Sequence, residues 1–513
     1  MAEHEEIGTV ISTPLGPSPS HVNFVVTTGI INRGQYVEID YSQGKLVALV
    51  TDVFKTNRYF ERAESVKEFE SAGRKLLEEF PVSEWEYLVA QTKPLGVYTQ
   101  DKKIIRHSFP PSPGDKVRIA SSSTIEKFLG FDNDGIHLGE IPLHQTPVNL
   151  NMSRLLKKHL AVLAQSGAGK SVSVKTIIEE VLDRKKESGR ISVIVIDVHG
   201  EYTSFGEPVQ SGAAKDYSGK TTIIKSGDIK IGVPKLSVGL IAGIVSGLSA
   251  PQKRELEKVL SALKSEMRSG MGPFDLEKVE SAIASDANIN ESTARVLLSW
   301  VASLKELRLF GKTDIPSIFD VLRPGHLTVF DLSEETDLKK KQIIVAYFAN
   351  RLFLERKNGK IPPFLLVVEE AHQMCPEKTK EEHAISKRII ETIAREGRKF
   401  GACLCLVSQR PINLSTTALS QCNSHLIMRI TNPYDLKHIG ESSEGIDDKS
   451  LDMVSSLAVG EALLVGEAVN HPVFFRVRKN RSPDSRHEIS LEDAAAQFEK
   501  KDDDKKSEAQ EFL

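Results

Sequence analysis

No stretch of the 513-residue chain approaches the roughly 18 consecutive apolar residues that a membrane-crossing helix needs, so a helical membrane protein is not expected. The opening residues, MAEHEEIGTV, are acidic where a secretory leader is basic, and a cytoplasmic location with no membrane partner is expected. Cysteine is scarce. Cys375, Cys403, Cys405 and Cys422 make no CxxC pair and no zinc-like spacing, which argues against a disulfide scaffold or zinc module and for buried thiols. Neither sign of charge is in large excess. A net charge of −3 neither announces nor excludes nucleic acid, because a ring-shaped binder needs positive charge only along its channel. What remains, 40% hydrophobic and 27% charged residues, is the composition of a soluble globular protein long enough for two or three domains.

The most informative stretch is LAVLAQSGAGKSVSVKTII (160–178), an apolar run that stops at a Gly-rich turn and continues as a helical pattern. Ala164, Gln165, Ser166, Gly167, Ala168, Gly169, Lys170 and Ser171 match the phosphate-loop template, with Ala164 in place of its first Gly. Glycines at 167 and 169 leave backbone N–H groups free to face phosphate oxygens, and the helix of about 170–187, which includes the candidate nucleotide-binding residue Val172, adds the positive end of its dipole. Lys170 is expected on the β- and γ-phosphates of ATP and the Ser171 hydroxyl on Mg²⁺. Next comes ISVIVID, a continuous β-branched run suited to a parallel strand buried on both faces. Asp197 and Glu201 follow it at the nucleotide crevice, where both are candidates to act near the Mg²⁺ or the attacking water, with turn capping the alternative for Asp197.

A second apolar strand, FLLVV, ends in Glu369-Glu370-Ala371-His372. Glu369, where the commoner residue is Asp, would hold the Mg²⁺ water shell, and Glu370 would polarise the attacking water as general base. His372 reads equally as a sensor or as a structural histidine. No LSGGQ-like signature precedes the motif, which argues against an ABC-type ATPase. Two strands, ISVIVID and HLTVFDL, intervene between the phosphate loop and the acidic pair. That order, with a second carboxylate, fits ring ATPases and translocases rather than GTPase-like folds. Gln409, at the end of GACLCLVSQRP, would sense the γ-phosphate, and Arg429, at the end of SHLIMRI, is a further phosphate-side candidate. Arg395 first and Arg398 second are candidates for an arginine finger offered to a neighbouring subunit, although the helix dipole alone also favours cations there.

The fold class expected is α/β. A small N-terminal β-barrel (1–125), with an assembly or docking role, leads through a loop-rich connector (126–159) into a RecA-like P-loop ATPase core (160–480). A helical bundle is inserted at about 235–312, and EALLVGEA and HPVFFRV close the core. Residues 481–513 read as a solvated tail whose Phe512 and Leu513 would pack on a neighbour.

Together, AQSGAGKS, IDVHGEY, LVVEEAH, AREGRKFG and VSQRP, in that order, resemble the HerA family of archaeal DNA translocases and helicases within the HerA–FtsK group. The resemblance covers nearly the whole chain. It implies a homohexameric ring that moves double-stranded DNA at the expense of ATP and acts with a NurA-like nuclease, docked on the barrel, in resecting broken DNA ends. Lys378, Lys380, Lys387 and Arg388 are candidate channel-facing residues, against the plainer alternative of a basic solvated face. Three other readings stay open: a single-strand or conjugation-type DNA pump of the same group, a protein-remodelling ring, and an ATP-switched ring scaffold that recruits a nuclease.

Overall fold

The computed structural model describes residues 6–12, 16–57, 60, 63–72, 85–101, 103–209, 214–245, 247–378, 384–443, 446, 448–483, 492–493, 495–496 and 498–500. The chain divides into two compact units, Met1–Asn151 with Glu461–Val477, and Met152–Gly460 with Arg478–Leu513.

The first unit is built on strands β1 (Glu6–Val10), β2 (Val22–Val26), β3 (Tyr36–Tyr41), β4 (Gly44–Asn57), β5 (Glu86–Thr99), the two-residue β6 (Ile104–Ile105) and β7 (Lys116–Ile119). They run in the order β2-β1-β7-β3-β4-β5-β6, and pairing of β2 with β5 closes six of them into a barrel. The long β4 and β5 shift register between Val47 and Ala48 and again between Val50 and Asp52. Such bulges bend a sheet enough to bring its ends together. Inward-facing Val22, Phe24, Val37, Ile39, Leu46, Ala48, Val50, Val97 and Val117 fill the interior. Gly8 is required by close approach: a Cβ there would lie 2.3 Å from the Val25 carbonyl oxygen and 2.6 Å from the Phe24 ring.

The stretch expected to be a loop-rich connector is instead ordered. Ser121 caps a helix over Ser122–Leu129, and β8 (Ile136–Ile141) and β9 (Thr146–Leu150) follow as an antiparallel hairpin. Pro142 and Pro147 suggested a loop, yet Thr146, Val148 and Leu150 alternate inward as a half-buried strand does. The hairpin Glu461–Gly466/Val473–Val477, assigned from sequence to the core, pairs Arg476 with Glu140 of β8 and groups with the barrel unit. A local pattern reveals a hairpin but not a partner that lies far away in the chain.

The second unit centres on a parallel sheet made of β10 (Leu160–Leu163), β11 (Ser192–Asp197), β12 (Thr221–Lys225), β15 (Leu327–Asp331), β16 (Phe364–Val368), β17 (Ala402–Ser408) and β18 (Ser424–Met428). Their order is β12-β15-β11-β16-β17-β10-β18. Every residue of β10, β11, β15, β16, β17 and β18 is buried, as strands covered by helices on both faces must be. The remaining pair, β13 (Ile231–Gly232) and β14 (Phe310–Gly311), brackets the helical insertion. Its helices span Val238–Ile244, Ala250–Glu266, Leu276–Ser285 and Glu291–Glu306. Ser249 and Gln252 make a capping box on the second, and Asp275 and Asn290 cap the third and fourth. Leu256, Val259, Leu260 and Leu263 form the buried stripe of the second helix. All four cysteines are free and buried, and no helix among the described residues is long and apolar enough to cross a membrane.

Candidate functional site

Parallel strands that share one direction deliver their carboxyl ends to a common edge, and five strands place sequence-flagged residues there. After β10 the chain turns through Gly167 (φ 74°) and Gly169 (φ 104°) into the helix Lys170–Asp183. Among the described residues no side chain caps the N-terminus of that helix, so its first N–H groups face the loop opening. Backbone bonds fix the loop on both flanks. Ala164 N–H donates to the Ser408 carbonyl at 3.2 Å, Gln165 N–H to the Arg429 carbonyl at 3.1 Å, and Gly460 N–H to the Ala168 carbonyl at 3.1 Å. The Thr431 hydroxyl also bonds the Gln165 side chain at 3.0 Å. A Cβ on Gly169 would stand 3.0 Å from Met428 Cε, so the positive φ and the crowding both select glycine. Ser166 and Gly167 form the exposed crest, and Val172 lies in the first turn of the helix.

The loop lysine meets the acidic pair directly. Lys170 Nζ lies 2.8 Å from Glu370 Oε1 and 4.0 Å from Glu369 Oε1, with all three side chains buried. Gln409 Nε2 donates to the same Glu370 oxygen at 2.8 Å, and His372 Nδ1 stands 3.3 Å from Glu370 Oε2 and 3.2 Å from Ser408 Oγ. Glu370 itself sits in the left-handed region (φ 46°, ψ 45°), a conformation that costs a non-glycine residue free energy and clusters at working sites. Strand β17 lies between β10 and β16, which is how Gln409 comes to stand between lysine and glutamate.

A second cluster lines the other side. The Ser171 hydroxyl donates to Glu201 Oε2, and Val198 N–H donates to Glu369 Oε2 at 3.1 Å. Glu369 Oε1 is buried without a hydrogen-bond partner among the described residues. Burial first, then the charges of Asp197 and Glu201, hold the Glu369 carboxyl well above the usual carboxylate range, against the pull of Lys170. Asp197 accepts from His199, Gly200 and Glu201 N–H on Oδ1 and from Tyr202 N–H on Oδ2, the turn-capping arrangement. Burial still raises its pKa, opposed by N–H groups of that turn. These four bonds hold the turn that presents Glu201, with the Asp197 carboxylate buried at the end of β11.

Among the described residues, the side chains of the candidate arginines make no hydrogen bond or ion pair with this cluster. Arg395, half exposed at the end of the helix Lys387–Glu396, has an ion pair with Glu391 at 3.9 Å on its own helix, and Arg398 is exposed just beyond. Arg429 touches the loop through its carbonyl, and its Nε is buried with no hydrogen-bond partner among the described residues. Lys387, one of the suggested channel residues, instead donates to the Glu377 carbonyl at 3.0 Å. Lys378 and Arg388 are exposed, and Lys380 lies outside the described residues. Sequence reasoning missed Met428, Thr431 and Gly460 as supports of the loop. Gly460 follows a hydrophobic residue in an ordinary turn and carries no distinguishing signal. Among the described residues, no three His, Cys, Asp or Glu side chains are grouped to hold a metal ion.

A phosphate-type loop, an acidic strand end and a polar strand tip, in this strand order, define the RecA-like P-loop ATPase fold. Residues 136–352 match the family model described as the central domain of helicase HerA. It is 27% identical to the DNA double-strand break repair helicase HerA of Sulfolobus acidocaldarius, over 88% of this chain and 89% of that one. The corresponding values are 28%, 77% and 78% for HerA of Pyrococcus furiosus, and 26%, 87% and 86% for a probable helicase of Methanocaldococcus jannaschii. Among solved structures, VirB4 of Thermoanaerobacter pseudethanolicus shares the fold, with a TM-score of 0.52 at 16% identity over 68% of this chain and 97% of VirB4.

Proposed function

We propose that this chain is an ATP-hydrolysing motor that translocates double-stranded DNA, acting as a homohexameric ring with a NurA-like nuclease at its barrel unit in the processing of broken DNA ends. The relatives named as break-repair helicases, similar along most of the chain, support the DNA task. The observation that carries the chemistry is the convergence of Lys170 and Gln409 on one oxygen of Glu370.

In this reading the Gly167–Ser171 backbone and the helix N-terminus cradle the ATP phosphates, and Lys170 transfers its ammonium from Glu370 to the β- and γ-phosphates. Glu370, released from the lysine, takes the proton of the attacking water, while Gln409 fixes the position of that water or of the γ-phosphate. The buried Glu369 Oε1, which has no hydrogen-bond partner among the described residues, and the Ser171–Glu201 pair fit a hydrated divalent cation. Ser171 would hold Mg²⁺ directly, and Glu369 and Glu201 through its water shell. Such an ion neutralises charge on the phosphates. Exposed Arg395, tied only loosely to Glu391, suits a finger inserted into the site of the next subunit, with Arg398 as the second choice. Arg429, with its unpartnered Nε, suits a phosphate-side cation.

Steady-state ATP turnover with linear duplex DNA, single-stranded DNA or an unfolded protein tests the reading. Stimulation by duplex is expected; stimulation by single strands alone would favour a pump of the conjugation type, and by unfolded protein a remodelling ring.

A further inference from the structure

The phosphate-loop helix carries a carboxylate that the proposed chemistry does not use. Glu179, in its third turn, is fully buried, and a buried charge needs compensation from somewhere. Its side chain is held by residues 478–482. Arg478 Nη1 donates to Oε2 at 2.8 Å, while Arg481 N–H, Ser482 N–H and the Ser482 hydroxyl converge on Oε1 at 2.7, 2.7 and 2.8 Å. Arg478 Nη2 reaches Glu180 at 2.8 Å, and Arg481 pairs with Glu180 at 3.0 Å and Asp183 at 3.1 Å. The end of the expected core and the start of the expected solvated tail, which meet at Arg481, are therefore strapped along the helix that begins at Lys170.

The same strap holds a second element. The Ser204 hydroxyl donates to the Pro483 carbonyl at 3.0 Å, and Lys215 N–H to the Arg481 carbonyl at 2.7 Å. Both donors lie on the segment after β11 that also carries Glu201, the partner of Ser171. On the helix, Ser171, Lys175 and Glu179 recur every four residues and share a face. The strap thus ties together, from behind, the two elements whose front ends meet at the Ser171–Glu201 contact.

We propose that residues 478–483 are a positioning strap for nucleotide binding, with Arg478 acting through Glu179 to set the phosphate-loop helix against the Glu201 turn. This rests on the reading of 164–171 as an ATP site. ATP affinity, turnover at saturating ATP, thermal stability and amide exchange over 166–175 would be measured for the wild type, Arg478→Ala, Arg478→Lys and Lys170→Ala. Arg478→Ala should bind ATP about tenfold more weakly, in the range of couplings within a contacting network. Its turnover at saturation should change less than affinity, exchange over 166–175 should quicken, and Arg478→Lys should recover part of the affinity. Should Arg478→Ala fail to fold, Ser482→Ala and Arg481→Ala carry the same test with smaller losses. A folded variant whose affinity stays within about twofold of wild type while exchange quickens would overturn the strap as a positioning device. Equal ATP binding by wild type and Lys170→Ala, or none by either, would instead overturn the underlying site.

Discussion

Replacing Glu370 with Gln separates binding from hydrolysis at the centre of the site. The amide has the size of the carboxylate, so its oxygen still accepts from Lys170 and Gln409, which stand 2.8 Å from Glu370 Oε1 in the wild type. Two properties change. The side chain no longer takes a proton, and loss of a positioned general base slows such reactions by about 10²–10⁴. The lysine also loses a charged competitor. A hydrogen bond to a charged group contributes about 1.5–3 kcal/mol and one between neutral groups about 0.5–1.5, so Lys170 should leave the amide more easily than the carboxylate by ~1 kcal/mol. That corresponds to roughly fivefold tighter ATP binding, before counting relief of repulsion between carboxylate and γ-phosphate. Equilibrium titration with ATP and single-turnover hydrolysis measure the two changes independently. Hydrolysis within about tenfold of wild type would remove Glu370 as base. Unchanged or weaker ATP binding would refute the exchange of Lys170 between glutamate and phosphate.

Arg395→Ala should abolish turnover in uniform assemblies yet regain part of it when mixed with Glu370→Gln subunits, because the two defects then fall in different sites. No recovery at any ratio would argue against a finger supplied by a neighbour. Asp197→Asn should weaken the turn that carries Glu201, since the amide group would face the Tyr202 N–H that Oδ2 now accepts. An unsatisfied buried donor costs about 1–3 kcal/mol, a fall of a few degrees in melting temperature that calorimetry would resolve. His159 accepts from Leu404 N–H at 2.9 Å, and burial lowers its pKa to about 4. A depressed histidine stabilises the fold above its unfolded value near 6.5 and loses that contribution as pH falls towards 4, on the order of 3 kcal/mol in all. The melting temperature of His159→Gln should therefore depend less on pH between about 6.5 and 4 than that of wild type; parallel profiles would count against it.

The parts of the site that sequence revealed are those whose meaning is local. A buried strand running into Gly167–Ser171 and another running into Glu369-Glu370 announce both the element and its working end, because a parallel strand delivers its last residue to the ligand edge. Gln409 was legible for the same reason. Asp197 carried two meanings in sequence, and its four N–H partners show the turn that it braces. Edge strand β12, TTIIK, has an alternating and half-exposed surface and gave no apolar run. The stretch 481–483 looked like the start of a polar tail because its partner, Glu179, lies about 300 residues earlier in the chain. Arg395 and Arg398 differ in no feature that a single sequence displays, since the role proposed for them is to meet another subunit.

Whether the chain is a double-stranded DNA motor is decided by steady-state ATP hydrolysis with Mg²⁺, without and with linear duplex DNA, using Glu370→Gln as the blank. Such a motor should show turnover above the blank that rises on addition of duplex. No turnover above the blank, or turnover that duplex leaves unchanged while single-stranded DNA or an unfolded protein raises it, would contradict it.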